Sequence, residues 1–454
     1  MEYFGLFRKE AMSIFRDIFN KSSDEPDIKF GRYSDSYKEE TKYDAWDIAL
    51  ELYEDKKYLK SFIYFLEYLK DDEVGNVIID KSPDGRIDFQ IFQGSKHITG
   101  YATQKKLYAE AKIAKATELE LGLLRRMVEK NYGLEYSRYA LDDDDCITMV
   151  FDTNSLDASP YKLYYALKEL ATNADKQDDI LVSEFKSLKR VNTGHIRTIS
   201  EEEKKVKFNF LKSSINGTID IIDNGSLNMV HYPGAASYLI LDLVYKLDFL
   251  IKPEGVTMEH IEQIHNTFFN NKTMSAQRKN ELMRKELKIM LKLDEDDFFH
   301  EIYEVLSTFG ITLPSGHERL RSLIDSDLNN MDWYVENRHQ EVALSIAGYI
   351  VGYSLFNFAL PAPDRELLIL YYKIFNQEFF RKLGFDISYH NGDVLEKKSI
   401  LKVIKAIKGK YLRNYPNLRL DTRNLSFESD VAFAKSFLLM LRQMDVSKKK
   451  KKKR

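Results

Sequence analysis

The spacing of apolar residues changes along this chain, and the change divides it. From Tyr43 they fall three and four apart: Trp46, Ala49, Leu50 and Tyr53, then, after Glu54-Asp55-Lys56-Lys57, Tyr58, Phe62, Phe65 and Leu69. Each set lines one face of a helix, so the stretch reads as two helices with a short break. Near residue 77 the period drops to two. Val77, Ile78 and Ile79 precede the turn sequence Pro83-Asp84-Gly85, after which Ile87, Phe89 and Ile91 alternate with Asp88 and Gln90. This predicts a hairpin. A second hairpin-like connection leads to Leu107, Ala109, Ala111 and Ile113, again alternating. Helical spacing returns in Leu119, Leu121, Leu123, Leu124 and Met127, and Gly133 closes that helix.

Four consecutive acids, Asp142 to Asp145, follow a short strand-like run and precede another, Cys146 to Phe151. A calcium loop would space its ligands at alternate positions, with a glycine at the bend and a later bidentate Glu. None of these is present, so the acids read as a solvated hairpin loop. An amphipathic helix then opens at Ser159-Pro160, a cap followed by a first-turn proline.

Helix, three strands, helix, two strands, helix is the resulting order. In "NVIIDKSPDGRIDFQIF", "LGLLRRMVEKNYGLEYSRYALDDDDCITMVF" and "PYKLYYALKELATNADKQ" it resembles the YbjN-like branch of the type III secretion (Tir-type) chaperone superfamily, over residues 44–185. The resemblance implies a non-enzymatic α+β module that recognises a polypeptide partner through its sheet and flanking helices, often as a homodimer. Phe89, Ile91, Phe92 and Tyr101 are the candidate partner contacts, because aromatic and aliphatic side chains on a sheet form an adaptable apolar platform.

Beyond this module the pattern is mixed over residues 186–234, where "EEEKKVKFNFLKS" suits a helix and Asn224-Gly225 suggests a small hairpin. From Ala235 to about 445 the spacing is helical almost throughout. The fold class expected is therefore α+β followed by a mostly α-helical domain. Val342 to Leu360 is uncharged and nearly long enough to span a bilayer. It contains Ser345, Tyr349, Tyr353, Ser354 and Asn357 and lacks flanking basic clusters, so it reads as a buried central helix, with Gly348 and Gly352 permitting close packing.

Charge adds two appendages. Seven of the 68 basic residues lie in Lys448–Arg454; without them 61 basic residues face 71 acidic ones, a net −10. The tail at 446–454 reads as a disordered cationic appendage, either a solubilising tail or a weak contact for an anionic membrane. The acidic body argues against a specific nucleic-acid partner. At the other end, Phe4, Phe7, Ala11, Phe15 and Ile18 line one helix face within residues 1–43, suited to docking on the body, on a partner or at a membrane surface. These two features support an alternative reading, a membrane-surface scaffold or regulator. One cysteine in 454 residues excludes an internal disulfide and, with no continuous apolar leader, points to the cytoplasm.

Catalytic signatures are missing. There is no phosphate-binding glycine loop, nucleophile elbow or paired-cysteine metal motif. His260 and His265 are five apart, on different helix faces, and the helix at His300 lacks a second His. "LDEDDFFHE" reads as an acidic first helical turn. No catalytic residue, metal or cofactor is expected.

Overall fold

The computed structural model describes residues 25–31, 38, 40–72, 74–191, 194–310 and 313–447. The amphipathic helix expected from Phe4 to Ile18 and the Lys448–Arg454 tail lie outside them. Contacts divide the chain into two compact units: Gly31–Asp364, and Arg365 onward together with the residues up to Phe30.

In the larger unit, α1 (Glu40–Glu54) and α2 (Tyr58–Leu69) form the expected helical hairpin. The chain turns through Lys56 at φ +60°, and Ser61 donates its hydroxyl to the Ala49 carbonyl at 2.7 Å. Four strands follow, not three: β1 (Val77–Lys81), β2 (Ile87–Gly94), β3 (Lys96–Ala102) and β4 (Lys106–Ala116). The extra strand is β3. Gln93 pairs with Lys96 across a two-residue loop, and Gly94 supplies the positive φ, +54°, that such a loop needs. After α3 (Leu121–Asn131) come β5 (Arg138–Leu141) and β6 (Cys146–Asn154), then α4 (Pro160–Glu184). The strands run antiparallel in the order β1-β2-β3-β4-β6-β5.

One sheet face is the core. Phe89, Ile91, Ile98, Ala109, Ala111, Met149 and Phe151 bury there beneath Phe62, Phe65 and Leu66 of α2 and Leu163, Leu167, Leu170 and Ala174 of α4. Gly100 belongs to this face because a Cβ would lie 2.4 Å from both the Phe89 ring and the Tyr108 carbonyl oxygen. The Ser159 hydroxyl accepts the Lys162 amide at 3.3 Å, so α4 starts where its cap and first-turn proline predict.

The small hairpin expected at Asn224-Gly225 is absent. After β7 (Leu188–Arg190) and β8 (Arg197–Thr198), one helix, α5 (Glu201–Asn224), runs through the whole segment. Ser200 caps it, accepting from the Glu203 amide at 3.1 Å, and three acids occupy its first turn. Leu211, Ile215 and Ile222 bury at helical spacing, and Gly225 ends the helix instead of turning a hairpin.

Next come α6 (Pro233–Ile251), α7 (Gly255–Phe269), α8 (Ala276–Met290) and α9 (Glu295–His300), then the short strands β9 (Tyr303–Glu304), β10 (Leu306–Ser307) and β11 (Leu313–Pro314). The unit closes with α10 (His317–Asp327), α11 (Asn330–Glu336), α12 (Gln340–Asn357) and β12 (Phe358–Ala359). As expected, α12 is a central helix. It packs against α6, α10 and α11 and is buried at Val342, Ile346, Tyr349, Ile350 and Val351 among others. A Cβ at Gly348 would sit 2.1 Å from the Asp242 carboxylate on α6, so the close approach needs glycine. No described helix is long and apolar enough to cross a membrane.

The expected boundary between 186 and 234 falls inside this larger unit. The reason is β10, which adds to β2, while the next residues enter the sheet's core. Phe309 is buried there, and Gln93 accepts the amides of Thr308 and Phe309 at 3.1 and 2.8 Å.

The smaller unit contains α13 (Ala362–Phe375) from Arg365 on, α14 (Gln377–Lys382), the hairpin β13 (His390–Asn391) and β14 (Val394–Leu395), α15 (Lys397–Tyr411) and α16 (Asp430–Arg442). Its core is aromatic: Tyr371, Phe375, Phe433 and Phe437 share ring contacts, and Phe30 packs on Phe380 and Phe385 at 5.0 and 5.8 Å.

Candidate functional site

Strand pleating sends alternate side chains to opposite faces, and this separates the four candidate contacts. Phe89 and Ile91 are buried on the helix-covered face, with Phe89 against Phe62 at 5.2 Å. They are core residues, unreachable by a partner unless the module unfolds. Phe92 and Tyr101 point to the opposite face, which takes a different composition.

On that face Tyr101 and Tyr108 lie directly opposite one another on β3 and β4, stacked at 5.7 Å. The Arg86 guanidinium sits over Tyr101 at 5.5 Å and the Lys106 ammonium over Tyr108 at 5.7 Å. Around the pair runs a lattice of charges. Arg138 reaches Asp152 at 2.8 Å, Lys106 reaches it at 3.4 Å, and Arg86 pairs with Asp88 at 3.0 Å. Arg138 chiefly holds the Asp152 carboxyl below its usual range. Tyr108 donates its hydroxyl to Glu110 at 2.6 Å; burial first, then this carboxylate, pushes the phenol pKa well up. Arg138, Lys106 and Arg86 keep roughly half their side-chain surface in solvent. The face is open, polar and aromatic.

Its Phe92 end is more sheltered. Phe92 stacks on His97 at 4.9 Å and meets His195 at 5.2 Å, while His195 Nε2 lies 3.3 Å from the Gly94 carbonyl oxygen. Burial, and secondarily the His195 ring, lower the His97 pKa.

Among the described residues the sheet ends on one side at β1, which pairs only with β2. The flanking bonds fix the phase of that pairing. Phe92 donates to the Asn76 carbonyl at 3.0 Å, and Ser82 to the Arg86 carbonyl at 2.9 Å. Antiparallel pairs alternate between bonded and non-bonded, so Ile78 and Asp80 bond to β2 while the backbone amides of Val77, Ile79 and Lys81 point away from it. Ile78, 40% exposed, continues the open face to this edge.

The acidic run is a hairpin turn. Asp142 Oδ1 accepts the amides of Asp144 and Cys146 at 3.0 and 2.8 Å, Asp145 takes φ +59°, and Lys112 pairs with Asp142 at 2.8 Å. Burial raises the Asp142 pKa, but Lys112 and the two amides outweigh it and leave the value low. Asp294 caps α9 by accepting the Asp297 amide at 2.7 Å, so "LDEDDFFHE" is the acidic first turn its sequence suggests. His260 and His265 go separate ways, to Glu286 and Tyr245 at 2.7 and 2.8 Å. Among the described residues, no three His, Cys, Asp or Glu side chains converge as a metal site would need.

Two features escaped the sequence. A cleft of about 320 Å³ opens between α4 and α7, lined by Lys176, Ile180, Met258, Glu259 and Glu262 over Gln93; Lys176 and Glu262 pair across it. Nearby, Lys96 and Asp178 form a fully buried ion pair at 2.6 Å. The cleft joins segments about 80 residues apart and left no local trace. The ion pair did leave one, since Lys96 stands in phase with the inward-facing Ile98. No protein-family model matches the chain, and no curated protein is significantly similar to it.

Proposed function

We propose that the protein is a non-enzymatic polypeptide-binding module, chaperone-like or a regulatory adaptor, whose partner adds an extended segment at the β1 edge. The observation that carries this reading is the terminal strand, with amides directed outward beside the open face of Ile78, Phe92, Tyr101 and Tyr108. An incoming strand would gain main-chain hydrogen bonds from Ile79 and Lys81 and set alternate side chains against that face. Edge strands are commonly blunted by charge, and Asp80 and Lys81 restrain indiscriminate pairing here. The Arg86–Asp88 and Arg138–Asp152 pairs would favour a segment with polar or mixed charge over a purely apolar one.

Photo-crosslinking residues at Ile78, Tyr101 and Tyr132 test this. Tyr132 follows α3, is 97% exposed, and serves as the control. The expected result is one defined adduct from positions 78 and 101, absent from 132 and lost when Lys81→Pro removes an outward amide. Equal labelling at all three positions, or adducts indifferent to Lys81→Pro, would refute the edge-binding reading.

A further inference from the structure

Charge is very unevenly divided between the two halves of this sequence. Leaving out the Lys448–Arg454 tail, residues 365–447 hold 15 basic and nine acidic side chains, a net +6, whereas residues 1–364 hold 46 basic and 62 acidic, a net −16. Within the smaller unit the excess concentrates on α15. Its sequence, Lys397 to Tyr411, contains six lysines and no acid. Ile400, Ile404 and Ile407 bury one face of the helix. At 100° per residue, Lys398, Lys402, Lys405 and Gly409 fall on the opposite, exposed face, and Leu412, at the helix end and 41% exposed, extends the same stripe. Lys410, set to one side, pairs with Glu366, and Lys397 lies over the Phe427 ring at 5.3 Å. The three central lysines project from a helix without a carboxylate.

We propose that this face of α15 is a docking surface for an anionic lipid bilayer. Since the apolar side of the helix is already buried, attachment would be mainly electrostatic, with Leu412 offering an apolar contact at the headgroup level. A nucleic acid fits less well. Within α15 the exposed face carries no aromatic ring on which a base could stack and no Asn or Gln to read a base edge. A bilayer surface asks only for a convex row of cations. The proposal is independent of the β1-edge reading and of the Lys448–Arg454 tail.

Each lysine near an anionic leaflet strengthens binding about fivefold, so three contribute about a hundredfold. The test is sedimentation of the full-length chain with phosphatidylcholine vesicles, with and without phosphatidylserine. Lys398→Gln/Lys402→Gln/Lys405→Gln is compared with its parent, both in the natural chain and in one carrying glutamine at Lys448–Lys453. The expected result is salt-sensitive binding to the phosphatidylserine vesicles only, about a hundredfold weaker for the triple variant in both backgrounds. The corresponding triple Lys→Arg variant should bind as the parent does, which separates loss of charge from loss of fold. Unchanged binding by the triple glutamine variant, or binding that vanishes with the tail lysines alone, overturns the proposal. So does a chain that ignores vesicles yet shifts a DNA duplex in these same three lysines' keeping.

Discussion

Replacing Asp178 by alanine would leave the Lys96 ammonium in the sheet's core with little to hold its charge. In the native protein both side chains are almost completely buried, at 0% and 1% exposure, and meet at 2.6 Å. Lys96 also donates to the Ile113 carbonyl at 3.0 Å, and Ser95 donates to Asp178 at 2.8 Å. Removing one member of such a pair costs about 3–5 kcal/mol, because the survivor is a desolvated charge. Replacing both with apolar groups of similar volume removes the desolvation penalty along with the attraction. Lys96→Met/Asp178→Leu should therefore fall within about 1 kcal/mol of the native protein. Urea unfolding measures this cleanly, since Trp46 and Trp333, the only two tryptophans, both lie in the larger unit. Their fluorescence reports that unit's transition, and midpoints convert to free energies at constant slope. A loss below about 1 kcal/mol for Asp178→Ala, or a double variant as unstable as the two single losses summed, would refute the reasoning.

Ile91→Asp should unfold the sheet module, since it places a charge at a fully buried position, whereas Tyr101→Asp should keep the native circular dichroism; similar spectra for both would mean the faces are misassigned. Gly100→Ala should cost about 1–3 kcal/mol in the same urea assay because its Cβ meets backbone and ring at 2.4 Å, while Gly217→Ala, in α5 with open space around it, should gain about 0.5–1 kcal/mol. Glu169 supplies a pH test. Burial raises its pKa, but the Glu135, Tyr136 and Ser137 amides, at 2.8–3.0 Å, and the Ser137 hydroxyl bring it below the ordinary glutamate value. A depressed carboxyl stabilises the fold above its unfolded pKa and loses that contribution as pH falls through the folded value. Glu169→Gln should thus flatten the acid side of a stability–pH curve, and an unchanged slope would count against the assignment.

Legibility in the sequence depended on whether burial left a clean period. β2 was readable because Ile87, Phe89 and Ile91 all face one core. β3 was hidden: its inward positions include Lys96 and Gly100, which break the apolar alternation, and only the tertiary partners Asp178 and Phe89 explain them. The end of α5 misled for the opposite reason. Its β-branched run and Asn224-Gly225 satisfy hairpin chemistry locally, yet burial of Ile215 and Ile222 at helical spacing prevails. For the candidate contacts, period two along β2 sets Phe89 and Ile91 against Phe92, whereas Tyr101, on the hidden β3, takes the face of Phe92 only through its pairing with Asp88. The period could not say which face α2 and α4 would cover.

The stitch between β2 and the residues after β10 has a consequence for synthesis. Asn76 donates to the Thr308 hydroxyl at 3.0 Å, and Gln93 accepts the amides of Thr308 and Phe309, so these hydrogen bonds and the Phe309 side chain come from 215 residues or more downstream. A ribosome adding roughly 5–20 residues per second would release α4 about 6–25 s before Phe309 emerges. During that interval the nascent module has a gap in its core and unpaired groups on Asn76 and Gln93, close to the edge at β1. The order of the sequence alone therefore makes β1 to β6 available before the segment that completes their core.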